Sequence, residues 1–222
     1  MAQQLTKAIN NKAQISSTLH RWVTYVKAWK ALSEEGKEQL QVIAQRLLYL
    51  RAGALESQLD SRVRKNLHEH VSIISQHWEK IKELIAKLEL MKQGMHRCFR
   101  ALETYCLDSS DSVLFGTLSV AQFMKYIEAV NASFSRDFTC KQQVLSSFSN
   151  YSSRDILTIL ITIWWRQPSI DPIEVDFVVG AIVAELAIDE YNILQEDSER
   201  TYLQPSSSLN SSNSEIFSYL LS

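Results

Sequence analysis

Residues 67–106 read LHEHVSIISQHWEKIKELIAKLELMKQGMHRCFRALETYC. Leu67, Val71, Ile74, Trp78, Ile81, Ile85, Leu88, Lys92, Met95, Phe99, Leu102 and Cys106 recur along it at alternating steps of four and three. Eleven of these twelve positions are apolar, with Lys92 the exception. Such a heptad stripe is the seam of a long coiled-coil-like helix, about 60 Å from end to end at 1.5 Å per residue. A seam of this kind needs an apolar partner, from elsewhere in the chain or from another protein. Ile81 and Ile85 are expected at its buried centre.

Outward from this segment the same periodicity returns. Upstream, Ile15, Leu19, Trp22, Val26 and Trp29 form a stripe, and Leu40, Ile43, Leu47 and Leu50 form another. Ser33, Glu34, Glu35 and Gly36 lie between them and read as a helix stop, because glycine readily ends a helix in the left-handed conformation. Arg51, Ala52 and Gly53 mark a second weak point. Downstream, residues 107–118 read as a loop and Ser119 as the cap of a helix over about 120–148. That helix carries a stripe of Phe123, Ile127, Val130, Phe134, Phe138, Lys141, Val144 and Phe148. Ser152 or Ser153 can cap the next one. Residues 155–165 are β-branched and aromatic, and propensity alone would make them a strand. A lone strand has nothing to pair with, so the segment is expected to be a buried helix ending at Gln167 and Pro168. Asp171 and Pro172 open a last helix to about residue 194.

The composition agrees with this reading. Of 222 residues only five are glycine and three are proline, and Pro168, Pro172 and Pro205 all fall in the last quarter. Sandwiches, barrels and doubly wound folds need more turn residues than that. The expected fold is therefore all-α: an elongated helical bundle with a long heptad-containing, coiled-coil-like helix. Residues 1–14 are expected as a flexible N-terminus and 15–194 as one helical adaptor domain, divided into 15–106 and 119–194. Residues 195–222 are expected as a mostly disordered tail, its Ser206–Ser214 stretch too polar to order itself. The apolar end of that tail, Ile216, Phe217, Leu220 and Leu221, is either a docking peptide or a packed last turn.

Charge and chemistry narrow the function. Residues 1–106 hold 17 Lys and Arg against 10 Asp and Glu; residues 107–222 hold 6 against 15. Solvated helix faces are the plain explanation, and a nucleic-acid face on the basic half is the sharper one. Cys98, Cys106 and Cys140 show no metal-type spacing, which argues against a disulfide framework and for a reduced, intracellular chain. The longest apolar run is too short to span a bilayer. Phosphate loops, nucleophile elbows and zinc-protease motifs are missing from the sequence, and His68, His70 and His77 read as solvated histidines. The expectation is a non-enzymatic protein with no catalytic residues, cofactor, metal or small-molecule substrate. Its five tryptophans are read first as core and second as interface anchors. Trp164 and Trp165 lie about 100° apart on a helix and cannot both face one core, which makes one of them an interface candidate.

Three blocks resemble the cyclin-dependent kinase 2-interacting protein family. The first is Trp22-x6-Trp29-x2-Leu32-x3-Gly36-x6-Ile43-Ala44. The second runs through Phe123, Phe134, Lys141 and Val144. The third is Asp155-x8-Trp164-x2-Gln167-Pro168-x-Ile170. With the heptad segment the resemblance covers roughly residues 15–190. Residues 51–61 are shorter than the family's insertion, and Ser169 stands where the family has an aromatic residue. The resemblance implies a nuclear adaptor, with the cytoplasm as a second compartment, that pairs with a small helical subunit and docks on an AAA+ ATPase. That assembly acts in maturation of the large ribosomal subunit and in DNA replication and genome integrity. Cyclin-dependent kinase and replication or checkpoint factors are further implied partners; membrane and direct nucleic-acid binding are not. The candidate partner-binding residues are Trp22, Trp29, Trp78, Ile81, Ile85, Trp164, Gln167, Pro168 and Ile170. The alternatives are a replication-factor scaffold touching chromatin or nucleic acid through the basic half, and a vesicle-tethering or cytoskeletal bundle.

Overall fold

The computed structural model describes the backbone of residues 2–56, 61–109, 115–148 and 153–203, and side chains within 11–52, 67–105, 115–148 and 153–188. Five helices and no strand occupy the described residues: α1 (Ala2–Glu56), α2 (Ser61–Ser109), α3 (Val120–Phe148), α4 (Arg154–Arg166) and α5 (Pro172–Leu203). The all-α bundle expected from the periodicity is what the chain forms.

α1 and α2 make an antiparallel hairpin, the helical counterpart of a β-hairpin. Cross-links climb it in opposite sequence directions: Tyr105 with Gln14, His77 with Gln39, and Arg46 with His70. α3 runs parallel to α1 and antiparallel to α2, with Asn131 beside Trp22, Asp137 beside Trp29, and Phe148 beside Trp78. α4 and α5 together form the fourth leg. α4 lies against the Lys37–Leu48 side of α1, while Lys30 of α1 meets Asp176 of α5 and Tyr126 of α3 meets Phe177. The fourth leg is thus a helix broken in the middle, at residues 167–171.

Several boundaries differ from those expected. α1 passes through Gly36 without a break, because Ser33 and Gly36 fall on the stripe. Ile15, Leu19, Trp22, Val26, Trp29, Ser33, Gly36, Leu40 and Ile43 are all buried, and their steps alternate four and three throughout. α1 also begins at Ala2, so the expected flexible segment 1–14 is helical from there; it contains no proline or glycine to stop a helix. α5 continues past residue 194 to Leu203, just short of Pro205. The remaining tail, with its apolar end at 216–221, lies outside the described residues.

Alternate positions of the α2 seam fall where expected, at Ile81, Leu88, Met95 and Leu102, and the positions between them move to a neighbouring residue. Ile81, Leu84, Leu88, Met95, Cys98 and Leu102 are buried, whereas Ile85, Lys92 and Phe99 are only half-buried. The stripe is wide enough to hold both sets, and α1 and α3 press on the side that carries Leu84 and Cys98. Leu67 and Val71 are exposed; α3 ends at Phe148, beside Trp78, and does not extend along α2 as far as these two residues.

The helix starts follow local chemistry. Ser119 and Gln122 form a reciprocal capping box, Ser119 N donating to Gln122 Oε1 at 2.8 Å and Gln122 N to Ser119 Oγ at 3.4 Å. Asp171 Oδ1 accepts from Ile173 N at 2.9 Å and precedes Pro172 at the first turn. Ser153 occupies the N-cap position of α4 but makes no side-chain cap bond. α4 is helical as expected but is not a buried helix: only Leu157 and Trp164 are fully buried, and Ile159 is exposed.

Candidate partner-binding surface

Three of the candidate tryptophans turn inward. Trp22, Trp29 and Trp164 have no exposed surface, so they offer nothing to a partner and are corrected to core residues. Each indole N–H needs an acceptor once buried. Trp22 Nε1 donates to Asn131 Oδ1 at 2.9 Å, Trp29 Nε1 to Asp137 Oδ2 at 3.0 Å, and Trp164 Nε1 to the Ser33 carbonyl at 2.9 Å. Lys141 closes the network. Its Nζ lies 2.8 Å from Asp137 Oδ2 and donates to the Trp164 carbonyl at 3.1 Å, while sitting 5.0 Å from the Trp164 ring centre. Both Asp137 and Lys141 side chains are 1% exposed. Burial pushes the Asp137 carboxyl up from the ordinary carboxylate range and the Lys141 ammonium down, each against the pull of the other. The Trp164 carbonyl is one of the orphan acceptors at the end of α4, so Lys141 also caps that helix. Ile81 is buried as expected, while Ile85 and Trp78 are half-buried.

The turn after α4 is shaped by a left-handed residue. Gln167 has φ 50° and ψ 61°, rather than the extended backbone that a following proline favours. Its N–H donates to the Ile163 carbonyl at 3.2 Å, and its carbonyl accepts from Ile170 N at 2.8 Å. Ile170 tucks into the core, Gln167 is half-buried and Pro168 is exposed.

The surface that remains is organised around Trp165, which the candidate residues did not include. Its neighbour Trp164 takes the core, so Trp165 is left 43% exposed. Two cations flank it: Lys37 Nζ is 4.4 Å and Arg166 Cζ 4.8 Å from the ring centre. On one side an open groove of about 740 Å³ runs between α1 and α4, with Leu48, Leu157 and Ile161 as its apolar wall and Lys37 and Arg154 at its edges. On the other side a cleft of about 230 Å³ is lined by Lys30, Glu34, Gln167, Ile170 and Pro172. Gln167 and Ile170 therefore do reach a surface depression, with Trp165 in place of Trp164. The aromatic-cationic ridge between two depressions suits a partner segment with apolar and acidic side chains.

His70 and His77 serve α1–α2 pairing. His77 Nδ1 lies 2.6 Å from Gln39 Oε1, and His70 packs on Tyr49 and Arg46. Burial, then Lys80 and Arg46, hold His77 below the ordinary histidine range. Among the described residues no three metal-ligating side chains converge, and no helix is long and apolar enough to cross a membrane.

No protein-family model matches the chain, and no curated protein matches it in sequence. The fold defines a helical-bundle protein with an open aromatic-cationic surface.

Proposed function

We propose that this chain is a non-enzymatic helical adaptor that docks partners through the Trp165 surface. The observation that carries the reading is the contrast between interior and surface. The buried charges and indoles spend their hydrogen bonds on one another, whereas Trp165, Lys37 and Arg154 line an open groove and Arg166 lines the cleft beside it, with Lys37 paired to Glu34 at 2.5 Å. Tryptophan and arginine are the residue types that most often anchor interfaces. From its resemblance to the cyclin-dependent kinase 2-interacting protein family, the adaptor is proposed to pair with a small helical subunit within an AAA+ ATPase assembly. The proposed setting is the nucleus, in large-ribosomal-subunit maturation and DNA replication. Tagged wild-type chain and its Trp165→Ala variant, compared by affinity purification and quantitative mass spectrometry, test both parts. Recovery of AAA+ ATPase subunits with the wild type, and severalfold less with Trp165→Ala at unchanged thermal stability, is expected. Recovery of membrane-traffic proteins alone would overturn the assembly, and equal recovery by the variant would overturn the surface.

A further inference from the structure

The groove beside Trp165 is walled by two helices that stay in step. Lys37 and Leu48 end its α1 wall, and Trp165 and Arg154 end its α4 wall. Residues 37–48 and 154–165 each span three helical turns, about 16 Å. Lys37 Nζ lies 4.4 Å from the Trp165 ring centre, so these two share one end. Arg154 stands at the other end, with Leu48. Between the ends, Ala44, Leu157 and Ile161 make an apolar floor. The hydroxyls of Thr158 and Thr162 are already spent on the Arg154 and Thr158 carbonyls of their own helix, each at 2.8 Å. Among the described residues, the charged ones that line the groove are Lys37 and Arg154, one cation at each end.

We infer that the segment held in this groove is an amphipathic helix of about three turns from another protein, with one apolar face and a carboxylate at each end. The inference rests on the docking role proposed for Trp165. Both walls are helices, whose backbone N–H and C=O groups are paired internally. An extended segment laid between them would find no backbone partners and would bury its own amides unpaired, whereas a helix arrives with its amides satisfied. Its apolar residues, spaced three and four apart, meet the floor as in other helix-in-groove complexes. Charge sets the ends. Among the described residues no carboxylate pairs with Arg154; Asp155 follows it in sequence and lies about 100° further round α4. Lys37 meets Glu34 at 2.5 Å, but the two side chains are 22% and 50% exposed. Such surface pairs contribute little, so Lys37 can exchange one carboxylate for another. A helix with acidic ends complements both cations, and one with basic ends sets like charges together. The acidic helix of a second copy fits less well: at the exposed start of α5, Asp176 is already held by Lys30 at 2.6 Å.

The test is a displayed library of three-turn helices, randomised along one face and at both ends. It is selected on the full 222-residue chain and on its Trp165→Ala and Arg154→Glu variants. Both variants change exposed side chains, and glutamate at the start of α4 suits the helix dipole, so unchanged circular dichroism is expected of each. The wild type should enrich apolar residues along the face and Asp or Glu at both ends, severalfold over the input. Trp165→Ala should retain those helices severalfold less well. Arg154→Glu should turn one end, and only one, to Lys or Arg. A proline placed in the middle of a selected helix should abolish its binding. Helices that need Trp165 but have neutral or basic ends, an unchanged preference on Arg154→Glu, or binding that survives the proline would each overturn the inference while leaving the docking surface in place. Equal retention by the wild type and Trp165→Ala would overturn the surface itself and the inference with it. Sedimentation of the chain alone that shows a dimer abolished by Trp165→Ala would assign the groove to a second copy, which also overturns it.

Discussion

A methyl group on Gly36 would lie 2.5 Å from Trp164 Cζ2 and 2.8 Å from Cε2. The indole is held by its bond to the Ser33 carbonyl and by Lys141 beneath its ring, so it has little room to retreat. Alanine would favour the helix by about 1 kcal/mol, but overpacking against a fixed aromatic costs roughly 1–3 kcal/mol. Gly36→Ala is therefore expected to destabilise the protein on balance, read as a lower urea midpoint at unchanged m-value; a raised midpoint would contradict the contact. The Asp137–Lys141 pair behaves differently. Asp137→Asn keeps an oxygen for the Trp29 indole but leaves Lys141 buried without its counter-charge. Breaking one member of such a pair costs about 3–5 kcal/mol, whereas replacing both is often close to neutral. Adding Lys141→Met to Asp137→Asn should recover most of the loss, short of the lost donor to the Trp164 carbonyl. A double variant as unstable as the single one would show that the pair itself supplies stability. None of this could be read locally. The sequence places Trp164 and Trp165 about 100° apart, but which one enters the core is settled by Gly36 and Lys141, residues distant along the chain.

At the scale of helices, periodicity was legible as a repeat, while the residues that fill it were settled by neighbours distant along the chain. The α1 stripe stays in step through Ser33 and Gly36, and those steps outweigh the local stop signal. Helix propensity penalises one glycine by about 1 kcal/mol, less than a continuous buried seam returns. In α2 the repeat was correct and Ile81, Leu88, Met95 and Leu102 are buried as expected, but which residue fills the positions between them depends on the neighbouring helices, so Leu84 is fully buried and Ile85 only partly. The broken fourth leg was legible from Gln167, Pro168, Asp171 and Pro172. Its cost was not, because the left-handed backbone of Gln167 depends on the Ile163 and Ile170 hydrogen bonds. A non-glycine residue gives up roughly 1 kcal/mol in that conformation. Gln167→Gly should thus raise the melting temperature by a few degrees, and Gln167→Ala should not. Equal effects of the two would mean that the turn is not strained.

Over the whole molecule the charge split follows the architecture. The hairpin of α1 and α2 is basic, α3 and α4 are close to neutral, and the acidic helix is α5, with eight Asp and Glu against one Arg; Lys30 of α1 meets Asp176 of α5 at 2.6 Å. Both side chains there are largely exposed, so the contact contributes little. The tie with more consequence is Glu185, which is 5% exposed. Its carboxylate accepts from Gly116 N at 2.7 Å and Thr117 N at 2.9 Å, and also from the Thr117 hydroxyl. It thereby fastens the segment that leads into α3 onto the last helix. Burial alone would raise its pKa. The hydrogen bonds from the Thr117 hydroxyl and from the amides of Thr117, Gly116 and Leu118 outweigh burial and hold it below the ordinary glutamate value. The sign of the linkage follows. A carboxyl whose pKa is lower folded than unfolded binds fewer protons when folded, so its contribution is complete above the unfolded value of about 4.3. It is lost as pH falls through the folded value. Glu185→Gln removes that dependence, and it replaces one acceptor oxygen with a donor that faces three amide donors. The variant should be less stable than the wild type at neutral pH, and the gap should narrow as the solution is acidified below the ordinary glutamate range. Urea unfolding of the two proteins at a series of pH values measures it; a gap independent of pH would show that the carboxylate is not charged in the folded chain.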